Sequence, residues 1–185
     1  EVFATPLAPR LAVGPDWNHL FVGSEGALAF LTSAWVKIHK LAETRRFLSF
    51  KVASTEKALD GIREWMQGGL RPAAVRLYDE DESRLLGGLK EGVKLVCVVE
   101  GDQALTDFTA LRINQLTMKW DGWEDTGEEP AQHWWTHRYD VSYRQQLILS
   151  HRRMILDTFE VSTSWAGLPA LHKEVKAAVE TVAKR

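Results

Sequence analysis

Cysteine is almost missing from this chain. Cys97 stands alone, which excludes an internal disulfide framework and a cysteine-rich zinc site. Long apolar runs are missing too. Stretches such as Leu95-Val96-Cys97-Val98-Val99 fall far short of the ~20 residues a membrane span needs. Neither charge dominates: 23 Lys and Arg face 25 Asp and Glu, a net charge of -2, so no basic footprint for nucleic acid or an anionic membrane exists. There is no internal repeat, nucleophile elbow, Ser/His/Asp signature or convincingly spaced carboxylate pair. No initiator Met and no charged-then-apolar leader open the chain, so no signal peptide is visible. Glu1 to Thr5 read as mid-domain sequence, the expectation being a piece of a longer protein. What remains is 45% hydrophobic and 26% charged over 185 residues, enough for one ordinary domain, or one domain with part of another.

Gly14-Pro15-Asp16 is a turn signal, and Asp16 is placed to cap the short apolar helical turn from Trp17 to Val22. Gly23-Ser24-Glu25-Gly26 ends that turn. Ala27 to Ile38 reads as a strand, with alternation clearest in Val36-Lys37-Ile38. From Arg45 a regular rhythm begins. Phe47–Val52 alternates as a strand, and Ser54 caps a helix carrying Ala58, Ile62, Trp65 and Met66, which Gly68-Gly69 ends. Glu56 lies near that helix's N-terminal dipole. Ala73–Tyr78 and Val93–Glu100 read as strands, and Asp102 caps a helix with Leu105, Phe108, Leu111 and Leu116 inward. Trp120–Pro130 carries loop chemistry, Ala131–Ser150 reads as helix, Met154–Val161 as strand, and Leu168 to Val182 as an apolar helical stripe with Pro169 in its first turn. The order β-α-β-β-α, an inserted helix, then β-α predicts an α+β fold with an antiparallel sheet and helices on one face.

Few residues carry chemistry on their own terms. The turn Gly23, Ser24, Glu25, Gly26, Ala27, Leu28, Ala29 has glycines three apart, which permit close backbone approach, and its exposed amides can face phosphate oxygens or a nucleotide edge. It has no Walker lysine and no strand-GxGxxG-helix context. Arg76 sits on a strand, with Val75 and Leu77 on the opposite face. Its guanidinium can grip a carboxylate or phosphate through two parallel bonds, or simply be a solvated arginine paired with Asp79 or Asp81. His133 and His137 have metal-compatible spacing without an obvious third ligand, so no metal is expected. His151-Arg152-Arg153 suits an anion or a helix dipole. Trp134 and Trp135 suit a core or the aromatic wall of a lipophilic pocket. Cys97 shares a strand face with Leu95 and Val99, which argues for a buried, inert thiol.

The run Gly14-Pro15-Asp16-Trp17-Asn18-His19-Leu20-Phe21-Val22-Gly23-Ser24-Glu25-Gly26-Ala27-Leu28 resembles the end of the FAD-binding domain in the vanillyl-alcohol-oxidase flavoprotein superfamily. There an apolar helix turn, Gly-Ser-Glu-Gly-Thr-Leu-Gly and a strand follow one another. Pro72-Ala73-Ala74-Val75-Arg76-Leu77-Tyr78-Asp79, Glu100-Gly101-Asp102 and Asp157-Thr158-Phe159-Glu160-Val161-Ser162-Thr163-Ser164-Trp165 resemble the alkyldihydroxyacetonephosphate synthases and their bacterial relatives. Ala27 and Ala29 stand where the family usually has Thr and Gly. The lost hydroxyl removes one hydrogen bond, worth ~0.5–1.5 kcal/mol net, and leaves backbone contacts intact.

The resemblance implies that residues 1–42 are the tail of the FAD-binding domain and 43–185 part of a ferredoxin-like substrate-binding cap domain. The family's pyrophosphate loop would lie upstream, and its histidine-rich motif, active-site tyrosine and a second substrate arginine downstream. It implies FAD as cofactor, bound by Gly23 through Ala29, with Arg76 against the substrate. The implied activity is acyl-for-alkyl exchange on dihydroxyacetone phosphate in ether-lipid synthesis, with no net redox change. FAD-linked oxidation of a 2-hydroxy acid or similar alcohol is the alternative, and a flavin-free ferredoxin-like binding module is a third reading, of another class. The implied partner is a small-molecule or lipid-like substrate, not nucleic acid, with room for a homodimer. The implied compartment is the cytoplasm, or the peroxisome for a eukaryotic ether-lipid enzyme.

Overall fold

The computed structural model describes residues 2–8, 12–140 and 160–183. The chain divides into two compact units, 1–40 and 41–185.

In the first unit, helix α1 (Trp17–Phe21) starts at Asp16, whose Oδ1 accepts from the Asn18 amide at 3.0 Å. Phe3 packs on Trp17 and Phe21 with ring centroids 5.9 Å apart in each pair. The strand expected over Ala27–Ile38 is not present: residues 29–42 carry no ladder hydrogen bonds. Alternation alone does not make a strand without a neighbour to pair with, and Phe30, Trp35 and Ile38 stay exposed.

Among the described residues, the second unit is built on four antiparallel strands: β1 (Thr44–Val52), β2 (Ala74–Tyr78), β3 (Val93–Gly101) and β4 (Trp123–Asp125), in the order β2-β3-β1-β4. This is the ferredoxin-like split β-α-β arrangement. Period-two alternation sends Leu48, Phe50 and Val52 to the core face. There the register sets Leu48 opposite Cys97 and Phe50 opposite Leu95, and Val75 and Leu77 of β2 flank the same two β3 residues.

Helix α2 (Thr55–Gln67) is capped by Ser54, whose Oγ accepts from the Lys57 amide, and ends at Gly68 and the left-handed Gly69. Its inner stripe of Ala58, Ile62 and Trp65 lies on the sheet, with Trp65 wholly buried. Gly61 on the same helix admits Trp120 and Trp123. A Cβ there would stand 2.4 Å from Trp123 Cζ2 and 2.7 Å from Trp120 Cζ3.

Helix α4 (Gln103–Thr117) is capped by Asp102, as expected, but buries a different face. Thr106, Ala110, Ile113 and Thr117 point in, Leu116 is partly buried, and Leu105, Phe108 and Leu111 are exposed. Small and β-branched residues let the helix lie close on the sheet, and Asp107 meets Arg46 of β1 at 2.7 Å, which helps set that rotation.

The fourth strand lies inside Trp120–Pro130, a stretch read as loop. Its short run pairs Trp123 with Val52, and Asp125 with Phe50. The Met154–Val161 strand and the His151-Arg152-Arg153 run fall outside the described residues, save Glu160 and Val161, which form no strand. Helix α5 (Glu129–His137) begins two residues before the expected start; residues 141–150 of that expected helix are outside the described set. Helices cover both sheet faces rather than one, because α5 packs on the side opposite the core, where the Ala131 amide donates to buried Ser49 Oγ at 2.9 Å. Helix α3 (Glu80–Gly87) was not anticipated, and α6 (Leu168–Ala183) follows the expected apolar stripe, half-burying Leu168, Leu171 and Val175.

Candidate functional site

The glycine turn of the first unit is exposed and shaped by its backbone. Gly23 and Gly26 have φ of 88° and 82°, and Glu25 between them has φ of 50°. The Ser24 amide and hydroxyl both donate to the Phe21 carbonyl, at 3.2 and 2.8 Å, and the Ala27 amide donates to Ser24 O at 2.8 Å. Among the described residues, the amides of Gly23, Glu25 and Gly26 have no partner, and nothing lies where a Cβ of either glycine would sit. A tight turn that presents successive backbone amides is a shape that takes anions or acceptor atoms.

The second unit presents a cationic edge on the sheet face opposite the core. Alternation puts Arg76 and Tyr78 of β2 on that side, and Lys94 of β3 pairs with Tyr78 in register. The Arg76 guanidinium lies 5.0 Å and the Lys94 ammonium 5.8 Å from the centre of the Tyr78 ring. Two cations around one aromatic ring form a surface that suits a carboxylate or phosphate. The Tyr78 hydroxyl is shifted up, chiefly by burial, with Arg76 acting against that shift.

The partner of Arg76 is neither Asp79 nor Asp81 but Glu82, at 3.7 Å. Asp79 is occupied elsewhere. Its Oδ1 caps α3 by accepting from the Glu82 amide at 2.9 Å, and its Oδ2 lies 2.9 Å from Lys176 Nζ and 3.2 Å from His172 Nε2 of α6. Burial pushes the Asp79 carboxyl up, but the hydrogen bonds from Glu82 N, Lys176 and His172 outweigh it and bring it down to about 2. Lys176, which also meets Asp81 Oδ2 at 2.6 Å, is held above its ordinary value, first by the hydrogen bonds to these two carboxylates.

Other anticipated residues take structural places. Cys97 is wholly buried and its thiol is pushed up to about 12 by that burial. His137 Nδ1 lies 2.8 Å from the His133 carbonyl, and no cluster of three or more His, Cys, Asp or Glu is placed for a metal among the described residues. Trp134 and Trp135 are half-buried rather than core; Trp135 is covered by the Arg138 guanidinium 3.7 Å from its ring. Tyr78, Glu82, Lys94, His172 and Lys176 were not singled out from sequence. One signal was available: Asp79 followed three residues later by Glu82 is a helix-start pattern.

The family model described as FAD linked oxidases, C-terminal domain, matches residues 41–183. The chain belongs to this family. FAD is the cofactor of the FAD-linked oxidases. Among curated relatives, the alkyldihydroxyacetonephosphate synthase of Trypanosoma brucei brucei is 29% identical across 92% of this chain and 32% of its own length. That of Caenorhabditis elegans is 26% identical across 95% and 34%, and an uncharacterised FAD-linked oxidoreductase of Escherichia coli is 26% identical across 94% and 37%. The FAD-linked oxidase chain thus spans about a third of the length of the curated relatives it matches. A solved alkyldihydroxyacetonephosphate synthase superposes with a TM-score of 0.69 over 91% of this chain and 37% of that one, at 24% identity, a likeness of fold. Among the described residues, no helix of the domain is long and apolar enough to cross a membrane.

Proposed function

We propose that this FAD-linked oxidase chain is part of an enzyme with alkyldihydroxyacetonephosphate synthase activity, exchanging the acyl group of an acylated dihydroxyacetone phosphate for a long-chain alkoxy group. The observation that carries this reading is the run of relatives bearing that name, matched along 90 to 95% of the chain in three organisms. The Arg76–Tyr78–Lys94 edge supports it, since the substrate's phosphate needs a cationic seat. Arg76 is the residue we place on that phosphate, its planar fork matching two phosphate oxygens.

Residues 1–42 belong, in this reading, to the end of the FAD-binding domain, and 43–185 to the substrate-binding cap domain. The open amides and positive-φ glycines of Gly23–Ala29 fit a contact to FAD through the backbone, with Ser24 fixed by its own bonds to Phe21 O. When bound, FAD supplies the electron-accepting ring at which the substrate reacts. The chain's own part is to orient the phosphate end and hold the substrate still. A cytoplasmic setting, or a peroxisomal one in a eukaryote, and a homodimer belong to the same proposal.

The test supplies the full-length protein with acyl-dihydroxyacetone phosphate and a long-chain alcohol. Alkyl-dihydroxyacetone phosphate with release of the fatty acid is the expected product. A second reading, oxidation of a 2-hydroxy acid, is favoured by the Escherichia coli oxidoreductase relative. Reduction of a dye acceptor by a 2-hydroxy acid, without alkyl product, would replace the first reading with it. Full-length protein lacking flavin absorbance would instead favour a flavin-free binding module.

A further inference from the structure

We propose that Asp79 is a positioning residue for Arg76: it fastens the start of α3 to α6, and α3 in turn sets Glu82 and Tyr78 against the guanidinium. This rests on the reading of Arg76 as the contact for the substrate's anionic group.

The segment from Asp79 to Ser83 is tied down at four of its five residues, to α6, α2 and the two strands β2 and β3. Asp79 caps α3 and holds Lys176 and His172 of α6. Glu80 accepts from both the amide and the hydroxyl of Thr55 at the start of α2, at 2.9 Å each. Asp81 shares Lys176. Ser83, wholly buried, donates to Tyr78 O at 2.9 Å and accepts from the Lys94 amide at 2.8 Å, bridging β2 and β3. Glu82 is the exception. Its amide belongs to the anchored turn, but its carboxylate reaches out to Arg76 at 3.7 Å, in a pair that is 51% and 39% exposed. An exposed pair of that length is weak and easily exchanged. Arg76 therefore has a rigid base and a loose top. The Tyr78 ring and Glu82 hold the fork in place while it is unloaded, and an arriving phosphate or carboxylate takes the place of Glu82.

Removing the Asp79 carboxylate uncaps the first turn of α3 and leaves Lys176 to Asp81 alone, so Glu82 holds Arg76 in a less fixed direction. Asn at this position still offers a capping oxygen and loses the charged Oδ2 acceptor that faces Lys176 and His172.

The experiment uses the flavin-loaded full-length enzyme and whichever anionic substrate it turns over, with Kd for inorganic phosphate as a second reading. Asp79→Ala is expected to raise KM and the phosphate Kd about tenfold while kcat stays within about twofold. Asp79→Asn recovers most of that loss, and flavin absorbance is unchanged in both. In an Arg76→Gln background, adding Asp79→Ala has no further effect on KM or Kd, because the residue it positions is gone. Should Asp79→Ala fail to fold, Lys176→Gln gives the same pattern at about threefold. Normal KM and Kd in Asp79→Ala beside impaired Arg76→Gln would overturn the positioning role alone. So would an Asp79→Ala effect that persists undiminished on Arg76→Gln. Wild-type constants in Arg76→Gln would overturn the reading of Arg76 itself and this proposal with it.

Discussion

Gly61 stands where two tryptophan rings meet helix α2, and hydrogen is the only side chain that fits. Replacement by Ala would gain about 1 kcal/mol in helix propensity. Yet the new methyl meets Trp123 and Trp120 at distances no real contact shows, an overpacking that costs about 1–3 kcal/mol. The expected outcome for Gly61→Ala is a lower urea midpoint with an unchanged slope. Cys97 offers a second check. A thiol wholly buried and pushed up to about 12 reacts as neither thiolate nor surface group. Labelling by a disulfide reagent should be negligible in the folded chain and become complete in denaturant. At Arg76 the decisive feature is geometry, not charge. Arg76→Lys keeps the cation and loses the fork, so turnover of the full-length enzyme should fall at least about tenfold; near-normal turnover would return Arg76 to the role of an exposed sheet residue paired with Glu82.

Helix α6 is tied to the rest of its unit by a clamp whose acid limit follows from its chemistry. The folded state holds the Asp79 carboxyl near 2, below its ordinary value of 3.8. A depressed carboxylate contributes its stabilisation in full above the ordinary value and loses it as pH falls toward the folded one. The contribution, about 2 kcal/mol for a shift of this size, is thus constant at neutral pH and fades between roughly 4 and 2. Asp79→Asn should lower stability by a comparable amount at pH 7, with the gap to wild type closing in that acid window, as denaturant titrations at each pH would show. The elements that make this clamp were unevenly legible. β1, β2, β3 and the caps Ser54 and Asp102 follow from alternation and from small polar residues ahead of apolar periods. α3 hides because Glu80-Asp81-Glu82-Ser83-Arg84 has no apolar stripe; its helix is set by the Asp79 cap and by ties to α2, α6 and the strands. α4 shows the opposite failure. Its largest apolar residues, Leu105, Phe108 and Leu111, read as the inner face, yet the sheet accepts the smaller Thr106 and Ala110. β4 is only three residues long and rests on pairing with β1, a tertiary fact that no local pattern announces.

At the scale of the whole chain, the two candidate features are the glycine turn in the first unit and the Arg76 edge in the second. The turn was legible as a family signature, and Arg76 as a strand residue off the core face. The cations and carboxylates around Arg76 were not, since Lys94 and Glu82 come to it through sheet register and a helix without periodicity. Because the chain spans about a third of its curated relatives, the 185 residues by themselves are expected to retain FAD weakly or not at all. The visible spectrum after desalting from excess FAD measures this, and a stoichiometric yellow complex would show that Gly23–Ala29 needs less help than proposed. The strand order has a further consequence, in time rather than in space. The central strands β1 and β3 meet through Val52 and Val93 at their nearest ends, so the central pair closes over a loop of roughly 40 residues, a slow step for a chain of this size. Until β3 leaves the ribosome, Leu48, Phe50 and Val52 have no strand to pair with and only α2 to cover them. During synthesis, this stretch of β1 is where a chaperone would find its purchase.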